Sequence, residues 1–165
     1  MNLITLSHSP LGRLTSIFGL MLRRPPRRQV AALCYRRRGS ELEVLLITSR
    51  DTRRWIIPKG WPGARRSARK QAAREAFEEA GIRGAVARHP LGEYRSHKGL
   101  GRGFKVRTSV TVFPLRAEDQ ARDFPERGER DLAWMPLREA ASRCGEPGLA
   151  AILGSREIES LLMAG

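Results

Sequence analysis

The sequence predicts an α+β domain, a mixed β-sheet with helices on both sides, and three observations carry that reading. Runs of apolar residues with strand character recur along the chain. A well-bounded helical stretch interrupts them, and helical periodicity returns after the last run. At 165 residues, 41% of them hydrophobic and 29% charged, the chain is long enough for one folded domain with its own core. Disorder as a whole is excluded by the same composition.

In order along the chain, residues 1–27 are read as a basic tail and 28–165 as the domain. The first 28 residues contain no acid and run into LMLRRPPRRQ. Leu11, Leu14, Ile17, Phe18, Met21 and Leu22 fall at helical spacing, and Arg13, Arg23 and Arg24 would favour an anionic membrane surface. A frayed extension, or a helix packed on the domain, is the simpler reading.

From Val30 strands follow: VAALCY, then ELEVLLITS after the turn signal RRGS, forming a hairpin, then WIIP. Ser67 is placed to N-cap a helix that Gly81 ends. GAVARHPLGEYRS and FKVRTSVTVFPLR read as strands around the glycine-rich KGLGRG, and LAWMP as a short one. LREAASR is helical. Pro147 to Leu162 reads as one terminal helix, with Leu149, Ile152, Ile158 and Leu161 facing inward.

The 31 Lys and Arg against 17 Asp and Glu leave a net charge of +14, which points to polyanionic partners: nucleotides, nucleic acid or acidic lipid. Cys34 and Cys144 lie in no zinc-like or C-x-x-C spacing and read as reduced and inert. No apolar run reaches the roughly 18 residues of a membrane span. The segment 14–22 has its strongest charges after it, unlike a secretory signal, so a cytoplasmic location is expected.

The chemistry concentrates in RKQAAREAFEEAGI. Glu75, Glu78 and Glu79 stand at i, i+3 and i+4, on one helical face. Like charges at that spacing repel, and hard carboxylate oxygens suit Mg²⁺ or Mn²⁺, which would relieve the repulsion. The plainer alternative is a solvated face pairing Glu78 with Arg74 and Glu79 with Arg83. Against it, the loop WIIPKGWPG leads into the helix with free carbonyls, and carries Lys59, Arg65 and Arg66 nearby.

Gly60, Arg74, Glu75, Ala76, Glu78, Glu79, Gly81 and Ile82 resemble the Nudix box, G-x5-E-x7-R-E-U-x-E-E-x-G-U with U apolar, at eight of nine defined positions. The departure is Arg66, where the box has Glu; the loss bears on metal stoichiometry or rate rather than on fold. WIIPKGWP resembles the branch related to diphosphoinositol polyphosphate phosphohydrolases, in which this loop varies. The resemblance extends over residues 28–165 and implies an α/β/α sandwich around a mixed sheet.

It also implies Mg²⁺, or Mn²⁺ in its place, held by Glu78, Glu79, Glu75 and the Gly60 carbonyl. Glu75 either binds metal or acts as general base, and Arg74 orients the glutamates. The expected activity is hydrolysis of a phosphoanhydride bond in a (di)nucleoside polyphosphate, an inositol pyrophosphate or another nucleoside diphosphate derivative. A further carboxylate is often recruited from a later loop in this family, with Glu118, Asp119, Glu126 and Glu129 as candidates here.

Lys59, Arg54, Lys98, Arg102 and Lys105 are candidates to grip phosphates of the substrate. Trp55 and Trp61 flank the loop; a Trp beside a strand is more often core, and stacking on a nucleobase is the sharper alternative for Trp61. His8, His89 and His97 have no partner spacing. Two other functions fit the same residues: removal of pyrophosphate from the 5′ end of RNA, and a non-catalytic nucleotide- or RNA-binding domain that has lost activity with the glutamate at 66.

Overall fold

The computed structural model describes residues 26–99 and 105–164. In chain order the described elements are β1 (Arg27–Arg38), β2 (Glu41–Thr48), β3 (Trp55–Ile56), β4 (Lys59–Gly60) and α1 (Ala68–Ala80). Then come β5 (Ile82–Val86), β6 (Gly92–Gly99), β7 (Lys105–Gln120), β8 (Leu132–Pro136), α2 (Leu137–Arg143), α3 (Pro147–Leu153) and α4 (Arg156–Ala164). Residues 1–25, which include the apolar stripe of the tail, lie outside the described residues. So does Arg102.

β1 is the centre of the sheet, and its sequence explains why. Every residue from Val30 to Tyr35 is buried, as a strand covered on both faces requires. Val30, Ala32 and Cys34 join one apolar cluster with Ala72, Ala76 and Ala80 of α1, while Leu33, Tyr35 and Ala31 join another with Leu137, Leu149, Leu153, Ile158 and Leu162. This alternation puts α1 on one face and α2, α3 and α4 on the other. The sheet is thus the middle layer of an α/β/α sandwich.

β1 runs antiparallel to β2 through a turn at Gly39, whose φ of 63° is left-handed, and parallel to β7 from Arg27↔Thr108 to Tyr35↔Arg116. Parallel and antiparallel pairings coexist, as expected of a mixed sheet. β4 pairs with the opening residues of β1, Val30↔Gly60 and Ala31↔Lys59. That pairing delivers the loop to the C-terminal half of α1.

Two expectations are corrected. GAVARHPLGEYRS, read as one strand, belongs to two, β5 and β6, which pair with opposite halves of the long β7. Pro90 falls in the gap between them and removes a ladder donor there. The terminal helix is also two: α3 ends at Gly154, and Ser155 Oγ accepts from the Ile158 N–H (3.3 Å) as α4 begins. The interruption resets the phase, so Leu153 and Leu162 are buried whereas Leu161 is 58% exposed. Among the described residues no helix is long and apolar enough to cross a membrane.

Candidate active site

α1 is fixed at both ends by the residues its sequence offers. Ser67 Oγ accepts from the Lys70 N–H (3.5 Å), and Gly81 adopts φ 70°, its N–H returning to the Phe77 carbonyl (2.9 Å). A Cβ at Gly81 would sit 2.6 Å from the Phe124 ring, so the tight turn also accommodates the following loop. Ala72, Ala76 and Ala80 let the helix lie close on the sheet. Glu75 and Glu79 are thereby turned toward β4, and Glu79 reaches Arg130 of the loop 121–131.

A cleft of about 1070 Å³ opens there, lined in part by Gly60, Glu75, Glu79, Glu126 and Glu146. Arg50, Arg54, Arg95 and Arg130 contribute cations to its wall. A Cβ at Gly60 would land within the Glu75 carboxylate, so glycine alone allows this approach of backbone to carboxylate. Glu75 Oε1 accepts from Gln71 Nε2 at 2.6 Å.

Glu79 is the buried member of the three, 6% exposed. Its Oε2 accepts the Lys59 backbone N–H (3.0 Å), and its Oε1 is ion-paired with Arg130 Nη2. Arg130 in turn donates from Nε to Glu126 Oε2 (3.1 Å) and from Nη1 to the Thr48 carbonyl (3.0 Å). Burial pushes the Glu79 carboxyl up to about 7; Arg130 and the Lys59 N–H draw it down, and Glu126 and Glu75 add to the rise. It can therefore exchange a proton near neutrality.

Glu78 is the outlying member: its side chain pairs with Arg74 Nε at 2.6 Å, on the more exposed flank. The i,i+4 pairing of the solvated-face alternative is thus present for Glu78. It is absent for Glu79, because Arg83 lies over the Phe77 ring and beside Asp119 (3.8 Å) instead. Among the described residues no three carboxylate, imidazole or thiol groups already converge on a single point. The donor set still suits a hard cation: the bare Gly60 cradle against Glu75, with Glu79 in the same cleft, supplies oxygen ligands only.

Of the four later carboxylates, Glu126 is the one in the cleft wall, ion-paired with Arg50 and Arg130. Its N–H bonds the Glu78 carbonyl (3.0 Å), which ties this loop to α1. Glu129 stands behind it, 3.2 Å from Arg50 Nε. Glu118 and Asp119 are well exposed on β7 beside Arg116 and Arg83, away from the cleft lining.

The expected phosphate-binding cations are dispersed. Arg54 lines the cleft and reaches Thr52 Oγ1 (3.0 Å) and the Gly145 carbonyl (3.4 Å). Lys59 turns its ammonium to Glu146, at 2.6 and 2.7 Å from the two oxygens. Lys98 and Lys105 are on the paired ends of β6 and β7. Trp61 lines the cleft, whereas Trp55 packs on the core and lies under Arg143.

The family model of the NUDIX domain matches residues 25–153. The chain belongs to the Nudix family. It is 34% identical over 125 residues to diphosphoinositol polyphosphate phosphohydrolase 3-alpha of Mus musculus, spanning 73% of this chain and 72% of that one. To Nudix hydrolase 12, mitochondrial, of Arabidopsis thaliana it is 32% identical over 115 residues, 64% of this chain and 53% of the relative. The chain thus spans about half the length of such plant relatives.

Among solved structures, a Caenorhabditis elegans Ap4A hydrolase complex superposes with a TM-score of 0.61 at 19% identity, covering 84% of this chain and 99% of that one. The NUDIX domain of Shewanella oneidensis NrtR, complexed with ADP ribose, gives 0.61 at 14% identity over 94% and 99%. Both share the fold. Within the Nudix box here, Arg66 is exposed on the loop before α1, where the box has its first glutamate.

Sequence reasoning missed four groups at this site: Arg130, Glu146, Ser96 and Gln29. Glu146 accepts from Lys59, from Tyr94 Oη (2.8 Å) and from Ser96 Oγ, and is 4% exposed. Burial alone would raise its pKa, but Lys59 and the two hydroxyls outweigh that and leave it lowered. Its partners lie at least 50 residues away in sequence, so no local pattern marks it.

Proposed function

We propose that this chain is a Mg²⁺-dependent pyrophosphohydrolase, with Mn²⁺ able to substitute, that cleaves a phosphoanhydride bond in a phosphate-rich small molecule. The substrate class comprises (di)nucleoside polyphosphates, inositol pyrophosphates and other nucleoside diphosphate derivatives. One observation carries this reading: Glu75, Glu79 and the bare Gly60 backbone meet in a cleft whose wall is otherwise rich in arginine.

The chain's own groups divide the work. Arg54 and Arg95 draw the polyphosphate into the cleft and balance its charge, beside an Arg50 that is already paired with Glu126 and Glu129. Glu75, Glu79 and the Gly60 carbonyl would hold the cation, with Glu78 completing the set from the flank; once bound it offsets charge on the diphosphate oxygens and makes water a better nucleophile. A carboxylate of this cluster takes the proton from that water. Arg74 keeps Glu78 oriented, and Arg130 fixes Glu79 against Glu126.

The test is product identification after incubation with Mg²⁺ and a panel of nucleoside diphosphate derivatives, dinucleoside polyphosphates, inositol pyrophosphates and 5′-triphosphate RNA, beside a Glu79→Gln control. Metal-dependent cleavage that falls at least a hundredfold in the control is expected. Ligand binding without turnover of any substrate would overturn the enzymatic reading in favour of a binding domain.

A further inference from the structure

In a Nudix cleft read as a polyphosphate hydrolase site, the catalytic end accounts for phosphates and leaves the other half of the substrate unexplained. Gln29 is the group there with unmet chemistry. It sits on β1, lines the cleft, is 1% exposed, and neither Nε2 nor Oε1 has a hydrogen-bond partner among the described residues. A buried carboxamide with both ends unpaired keeps the full desolvation penalty of its two polar atoms, which is a reason to look for the ligand that satisfies it.

The unmet acceptor decides the chemistry. Fully ionised phosphate oxygens only accept, so a fully phosphorylated ring in that form would satisfy Nε2 and leave Oε1 buried without a donor. A nucleobase edge with a donor beside an acceptor satisfies both at once, as adenine does with its 6-amino group and a ring nitrogen. Ribose hydroxyls can also give and accept. The nucleoside is the shared chemistry.

A second observation favours the base over the sugar. β1 and β4 pair as Val30↔Gly60 and Ala31↔Lys59, and Gln29 and Trp61 are the next residues of the two segments beyond the Val30↔Gly60 pair. Both line the cleft, and Trp61 is only partly buried. An indole and a carboxamide lining one cleft supply a face to stack on and an edge to pair with, the two surfaces a planar heterocycle presents. Both are uncharged, unlike the arginine-rich wall around Arg50 and Arg54.

We propose that Gln29, with Trp61, reads the nucleobase of the substrate, so that this site takes nucleoside polyphosphates in preference to inositol pyrophosphates. The proposal rests on the reading of this cleft as the substrate site, yet it is tested by binding alone. The full chain is titrated calorimetrically, without divalent metal, with ATP, purine riboside triphosphate (which lacks the 6-amino group) and inorganic tripolyphosphate.

Wild-type protein is expected to bind ATP more tightly than the other two. Gln29→Leu should weaken ATP about ten- to a hundredfold, leave tripolyphosphate unchanged and remove the preference for ATP over purine riboside triphosphate. Since Leu abolishes the buried unpaired amide, its thermal midpoint should equal or exceed that of wild type, whereas a Gln that serves the fold would lose stability. Equal losses for ATP and tripolyphosphate, or no loss, would overturn the proposal. Equal affinity of wild type for ATP and purine riboside triphosphate would overturn base reading in favour of ribose contacts. Base-dependent binding by a protein that turns over nothing would uphold this inference while the hydrolase reading fell.

Discussion

At Glu79 a single carboxylate is buried, paired with Arg130 and held by the Lys59 N–H, and its net pKa is raised to about 7. In the unfolded chain it would titrate near the ordinary value of 4.5. Between those values the folded protein binds more proton than the unfolded chain, so stability falls as pH rises from about 4.5 to 7 and is level above. The metal-free protein should therefore lose roughly 3 kcal/mol over that interval from this group, measurable by urea unfolding at pH 5 and pH 8. Glu79→Gln should flatten that part of the profile; an unchanged slope would refute the assignment. Such residues were unevenly legible. Spacing alone placed Glu75, Glu78 and Glu79 on one helix, because helical geometry is local. Arg130, 51 residues from its partner Glu79, and Glu146, 87 from Lys59, have no local signature, since the fold alone makes them neighbours.

Among the elements, β4 is two residues long and cannot hold its place through ladder bonds alone. It is pinned from both faces: the Lys59 N–H to Glu79 on α1, and the Lys59 ammonium to Glu146, the residue before α3. The side chains of that ion pair are 12% and 5% exposed. Removing one partner leaves a buried charge, so Glu146→Leu should destabilise the protein by about 3–5 kcal/mol in urea unfolding. Adding Lys59→Met should restore the part due to the stranded ammonium, while Tyr94 and Ser96 remain without their acceptor. A double variant no more stable than Glu146→Leu would show that the pair is not the source. The β1–β2 hairpin and the caps of α1 were readable because turn glycines and capping residues act within a few positions. The split of the last helix was not, because Gly154 ends a helix only where α3 and α4 each find core to cover; a one-residue change of phase then exchanges Leu161 for Leu162.

For the molecule as a whole, the α/β/α layering followed from the order of strand and helix signals, while the use of its charge depends on where the cations fall. With a net charge of +14, attraction to any polyanion is long-ranged, but several arginines near the cleft are already balanced, Arg50 by Glu126 and Glu129, and Arg130 by Glu79 and Glu126. The remaining field comes chiefly from exposed side chains and is screened over about 8–10 Å at physiological salt. It should speed capture of substrate without altering the chemical step. Raising salt from 50 to 500 mM should lower kcat/KM about tenfold for a nucleoside polyphosphate, more for the more highly charged members of the panel, with kcat nearly constant. Steady-state kinetics at fixed Mg²⁺ would check this. A steep loss confined to 5′-triphosphate RNA would favour the RNA reading, because a bound strand releases counterions along its length and a small nucleotide does not. Salt-independent kcat/KM for all substrates would mean that the balanced pairs, rather than the net charge, set the field at the cleft.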